Sequence, residues 1–231
     1  MGWDINILGK HNLRTDKIEN TVEDLCNKLY INIEYGYYGK RYTYVKCGEK
    51  SPYKNTPAFT LIDDKEWRRS LKGVHVYLKL SPNTYEIKTD FLYLIIYKEA
   101  IILSLRNEPF RWNGLINYFM DADYIDKYIN ELNNWRLIAK RYAFALGCEK
   151  FYYIADQGSH PRIDEIAMRS WDTALKYMNS GQFYKDEYKY DRRKKKLNPQ
   201  IINVPAFINS SKRCFSTCGE DILVDDFSDL G

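Results

Sequence analysis

The chain lacks the features by which most enzymes announce themselves. It has no Gly-x-Ser-x-Gly elbow, no phosphate-cradling glycine loop and no dinucleotide fingerprint. None of its cysteines carries a catalytic local signature. Histidine is scarce: His11, His75 and His160 are the three, far apart in sequence, so no metal-ligand spacing emerges. Long hydrophobic runs are missing as well. The longest apolar region, Phe91 to Leu105, is broken by Lys98-Glu99 and too short to span a bilayer. The first residues, Met1 to Ile7, combine neither a basic start nor a long apolar stretch, and Gly2 lacks the downstream Ser or Thr of a myristoylation site. Five cysteines cannot all pair, and Cys26, Cys47 and Cys148 sit singly inside helix or strand patterns. These absences predict a reduced, cytoplasmic protein without membrane contact, resident metal or cofactor.

What is abundant is tyrosine. Twenty-one Tyr, 10 Phe and 5 Trp bring aromatics to 16%. A tyrosine buries its ring while keeping its hydroxyl wet, which suits binding surfaces. Compositional drift toward Tyr, Asn, Lys and Ile gives the same excess. Charge is balanced, with 35 Lys+Arg against 31 Asp+Glu and a net of +4, too little to mark a nucleic-acid binder by itself. It concentrates late: Arg192-Arg193-Lys194-Lys195-Lys196 is followed by Asp221, Asp225, Asp226 and Asp229.

Periodicity then orders the chain. Trp3 to Leu8 alternates as a strand, and Ile18, Val22, Leu25, Cys26 and Leu29 repeat at helical spacing after a capping Thr15-Asp16. Ile31–Tyr35 and Arg41–Cys47 flank a Gly36/Gly39 turn and predict a β-hairpin. Residues 48–57 read as a loop and Phe59–Ile62 as a short strand. Val74–Leu80 alternates before a Ser81-Pro82-Asn83 turn. Phe91–Tyr97 and Ile101–Leu105 are apolar on both faces, as central strands covered by helices are. A long stripe runs Ile125, Ile129, Leu132, Trp135, Ala139, Ala143, Leu146 and stops at Gly147 as C-cap. Phe151–Ala155 is a strand, and a last stripe runs from Ile163 through Trp171 to Met178. The predicted fold is α+β: a mixed, mostly antiparallel sheet of about six to eight strands packed by about three helices. Residues 1–181 form the domain, and 182–231 a charged, irregular C-terminal extension. Trp135, Leu146, Ile154 and Trp171 are predicted to be buried.

Two groups of residues compete for function. The Tyr35–Tyr44 hairpin, with Tyr37, Tyr38 and Arg41, and the proline loop presenting Phe110, Arg111 and Trp112 have the residue types of protein-binding hot spots. They suit a non-catalytic module of the inhibitor, immunity, antitoxin-like or adaptor kind, with a protein partner. The same rings also suit cross-strand packing, and Phe110 and Trp112 could plug the core. Against this stands the strand-to-helix loop 156–165. There Gly158 and Ser159 amides and Arg162 could hold a phosphorylated or nucleotide-like ligand, and His160, with Asp156 or Asp164, could move a proton. Each of those residues also has a structural use: Ser159 as N-cap, Pro161 in the first turn, Asp164 and Glu165 on the helix dipole. A third possibility is nucleic-acid binding through Lys40, Arg41, the hairpin tyrosines and Arg192–Lys196. Asp121, Asp123 and Asp126 match helix-start acids better than a calcium loop. Cys214 and Cys218 supply two thiols where zinc needs four ligands.

Overall fold

The computed structural model describes residues 5–14, 18–29, 31–38, 43–45, 59–61, 76–82, 91–105, 127, 129–155, 167, 170–180, 201–209 and 222–231. Its strands are β1 (Ile5–Lys10), β2 (Ile31–Tyr38), β3 (Thr43–Val45), β4 (Phe59–Leu61), β5 (Val76–Pro82), β6 (Phe91–Ile96), β7 (Ala100–Leu105), β8 (Phe151–Ala155), β9 (Ile201–Asn203) and β10 (Ile222–Asp225). The helices are α1 (Ile18–Leu29), α2 (Ile129–Leu146), α3 (Trp171–Ser180) and the short α4 (Val204–Ile208). All the strands join one sheet in the order β4-β3-β2-β5-β6-β7-β1-β8-β10-β9. Pairing is antiparallel throughout except between β10 and β9. Seven of the strands are four residues or longer, within the expected six to eight, and β3, β4 and β9 span three residues each. The class is α+β, as the patterning predicts.

Strand alternation places two apolar cores on opposite faces of the sheet. Ile7, Leu94, Ile96, Ile101, Leu103, Phe151, Tyr153 and Leu223 face one way, under α1 and α2. Leu8, Ala100, Ile102, Tyr152, Ile154 and Ile222 face the other way, under Trp171, Ala174 and Met178 of α3. This is why the central strands are apolar at successive positions: each face has its own helix to exclude water. The four residues predicted to be buried all are: Trp135 at 8%, Leu146 at 0%, Ile154 at 1% and Trp171 at 6% exposure.

Helix ends follow local chemistry. Gly147, at φ +66°, closes α2. Its N–H donates to Phe144 O at 3.1 Å and the Cys148 N–H to Ala143 O at 2.8 Å, the paired bonds of a Schellman cap. The last stripe differs from expectation. It is not one helix from Ile163 onward: Ala167 is helical, but Ser170 is not, and α3 begins at Trp171. Ser170 explains the break, since its Oγ accepts from the Thr173 N–H at 3.3 Å and so acts as an N-cap. Glu99, in the β6–β7 turn, adds an acceptor for the Trp171 N–H at 2.6 Å. Gly36 is also placed differently: β2 runs through it and on to Tyr38, and the chain turns beyond, between β2 and β3.

The last part of the chain belongs to this sheet. β10 lies between β8 and β9, and Val204 and Phe207 of α4 join the core that α1 and α2 also line. Among the described residues no helix is long and apolar enough to cross a membrane.

Candidate functional site

Register decides where the polar chemistry goes. Gly9 of β1 is opposite Phe151 of β8, and Phe151 is opposite Asp225 of β10. Phe151 belongs to the core on the α2 face, so Asp225 arrives on that face too, at the end of the last strand. There it meets Arg136, which falls inside the apolar arc of α2, one turn from both Leu132 and Ala139. Both side chains are fully buried.

Arg136 uses its whole donor set. Nε and Nη2 each donate to Asp225 at 2.8 Å, through Oδ2 and Oδ1. Nη2 and Nη1 donate to Asp229 at 2.6 and 2.8 Å, and Nη1 also reaches Asn133 Oδ1 at 3.3 Å. Five donors meet five acceptors, which is the condition for tolerating a buried guanidinium. Burial alone would make the guanidinium easier to deprotonate, but its hydrogen bonds and the charges of Asp225 and Asp229 outweigh that and raise its pKa. The Arg136 hydrogen bonds hold the Asp229 carboxyl below its usual range.

The segment beyond β10 is shaped to deliver the second carboxylate. Phe227 takes a left-handed conformation, φ +57°, unusual for a non-glycine residue. Its N–H donates to Asp225 Oδ1 at 3.0 Å, and its ring packs edge-on against Phe151 with centroids 5.8 Å apart. The chain thus folds back over α2, where Lys140 Nζ donates to the Leu230 carbonyl. Asn133, Arg136 and Lys140 form a strip along α2 that grips residues 225–230.

Chemically, this centre is a clasp. Tyr153 donates its hydroxyl to Asp225 Oδ2 at 3.4 Å, and burial together with the Asp225 charge pushes that phenol well above its ordinary pKa. A saturated guanidinium and a phenol held protonated offer no group poised for proton transfer near neutral pH. His11 is buried too. Its Nδ1 accepts from the Leu13 N–H at 3.0 Å, so Nε2 carries the proton donated to the Tyr97 carbonyl at 2.8 Å. That ring bridges β1 to the β6–β7 turn. Among the described residues no group of three or more His, Cys, Asp or Glu is arranged to hold a metal ion.

Of the residues singled out from sequence, Tyr37 and Tyr38 lie in β2. Tyr37 is opposite Tyr44 of β3 and Tyr77 of β5, and Tyr38 is opposite Thr43 and Val76. Arg41, Phe110, Arg111, Trp112, Asp156, Gly158, Ser159, His160, Arg162 and Asp164 lie outside the described residues, as do Asp121, Asp123, Asp126, Cys214, Cys218 and Arg192–Lys196. The loop 156–165 leaves the carboxyl end of β8, an interior strand between β1 and β10.

Sequence reasoning missed the clasp, although half of its signal was present. A charged residue within an apolar stripe has to be paired, and Arg136 is such a residue. Its partners could not be read, because β10 is four residues long and reaches α2 only through sheet register. Set against protein-family models, curated proteins and solved structures, the chain matches none.

Proposed function

We propose that the chain is a non-catalytic, cytoplasmic protein-binding module, of the kind represented by inhibitors, immunity or antitoxin-like proteins and adaptors. That class assignment is an analogy of scale and chemistry. The observation that carries it is the tyrosine row at one end of the sheet, where Tyr44, Tyr37 and Tyr77 occupy one register line across β3, β2 and β5. Tyrosines on adjacent strands offer large, semi-rigid contact area at small entropic cost, the currency of protein interfaces. Tyr38 and Arg41 follow Tyr37 in the chain, and Phe110, Arg111 and Trp112 supply a second group of anchors of hot-spot type.

The test is co-purification of the tagged full-length protein from its host, with and without nuclease, followed by the Tyr37→Ala/Tyr38→Ala and Arg111→Ala/Trp112→Ala variants. A stoichiometric protein that survives nuclease and is weakened by at least one pair supports the reading. A partner lost with nuclease moves the assignment to nucleic acid. No partner, together with a phosphorylated ligand whose binding needs His160 and Arg162, moves it to loop 156–165.

A further inference from the structure

The outward face of α2 is built unlike a surface that only meets water. Its exposed stripe runs Asn130, Asn134, Leu137, Arg141, Phe144, the i, i+4, i+7, i+11, i+14 positions of one helical line. Solvent-facing stripes are normally rich in charge of both signs. This one contains no acid, and it carries the exposed large hydrophobic residues of the described chain: Leu137 at 46% and Phe144 at 87% exposure. The two are seven residues, hence about 10 Å, apart along the axis. Cations surround the second. Arg141 and Lys140 lie within one turn of Phe144, and Arg141 Nη2 donates to the Lys28 carbonyl at 3.2 Å, which brings the end of α1 and its exposed Lys28 alongside.

The opposite face of the same helix is locked. Leu132, Trp135, Arg136, Ala139, Ala143 and Leu146 are all buried, so the stripe is presented by an element that need not be ordered on binding. We infer that this stripe docks an acidic amphipathic helix of a partner protein. Leu137 and Phe144 would enter the partner's apolar seam at heptad spacing, and Lys28 and Arg141 would face its carboxylates. A second copy of this chain fits less well. Setting Leu137 of one copy on Phe144 of the other places the two-fold axis between residues 140 and 141, and so brings Lys140 and Arg141 of both copies together. The inference rests on the protein-binding reading above, but on a different face from the tyrosine row.

The test uses the full-length, isotope-labelled chain and a three-heptad helical peptide with Leu at the seam and Glu at the flanking positions. The same peptide with Lys in place of Glu is the control. The Glu peptide is expected to shift the backbone amides of residues 137–148 saturably, and the Lys peptide is not. Phe144→Ala is expected to weaken that binding at least tenfold with an unchanged melting temperature, because the ring lies outside both cores. Absent shifts, or equal shifts with the Lys peptide, overturn the inference. So does dimerisation through this stripe. Shifts confined to β2, β3 and β5 overturn it as well, while leaving the protein-binding reading in place.

Discussion

Arg136 and Asp225 stand 89 residues apart in the chain, yet the guanidinium meets both oxygens of the carboxylate at 2.8 Å with neither side chain exposed. Asp229 then covers the remaining side of the same guanidinium. The last strand of the sheet is thereby fastened to the helix that covers it.

Breaking one partner of this pair should cost far more than removing the pair. Arg136→Met leaves the buried Asp225 carboxylate without its cation and is expected to lower unfolding free energy by about 3–5 kcal/mol; Asp225→Asn, with Asp229 still on the guanidinium, is expected to cost less. The double variant Arg136→Met/Asp225→Asn should recover part of that loss. Urea midpoints of the four proteins form the cycle; additive losses would mean that the two groups do not interact.

Acid should weaken the clasp from the Asp229 side. Its carboxyl is held below the ordinary range, first by the Arg136 hydrogen bonds and then by the charges of Arg136 and Lys140. A depressed folded pKa contributes stability that is fully present above the unfolded value, about 3.9, and is lost as pH falls through the folded one. Unfolding midpoints should therefore hold steady from neutral pH to about 4 on this account and fall below it. Asp229→Asn should flatten that fall; a profile parallel to that of the parent would show that Arg136 does not stabilise the Asp229 charge.

Cys148 is buried against Gly9 and Phe151, and burial pushes its thiol up to about 12. In the native protein at pH 8 it should stay unmodified by iodoacetamide, while half-buried Cys26 is alkylated before it, as peptide mapping would read. The raised pKa also has a sign. Its stability contribution is complete below the ordinary thiol value of about 8.5 and is lost as pH climbs toward 12. Rapid native labelling of Cys148 would mean that the β1–α2 packing opens readily.

Gly147 has two reasons to be glycine. Its φ of +66° disfavours a side chain, and a Cβ there would lie 1.6 Å from Asn12 Oδ1. Gly147→Ala is expected to cost about 1–2 kcal/mol for the left-handed conformation alone, and more until Asn12 moves. Asn12→Ala/Gly147→Ala should recover the steric part only, and a thermal melt separates the two. No loss in the single variant would rule out the left-handed cap.

Much of the architecture was legible in the sequence because it depends on local rules. The Val22-Leu25-Leu29 and Leu132-Trp135-Ala139-Leu146 stripes specify helices that need a sheet to cover. Runs apolar at successive positions, such as Ile101-Ile102-Leu103, require cover on both faces, and both faces are covered. Gly147 marked the end of α2 because only a residue at ease with positive φ forms that cap. What the sequence could not decide was pairing over distance. Ile201-Ile202 and Ile222-Leu223 read as stray apolar patches, because strands of three and four residues carry too little periodicity to be assigned. Only the assembled sheet sets β10 beside β8 and β9 beside β10. Only its register, which a slip of one residue would reverse, turns Asp225 toward Arg136 rather than toward α3.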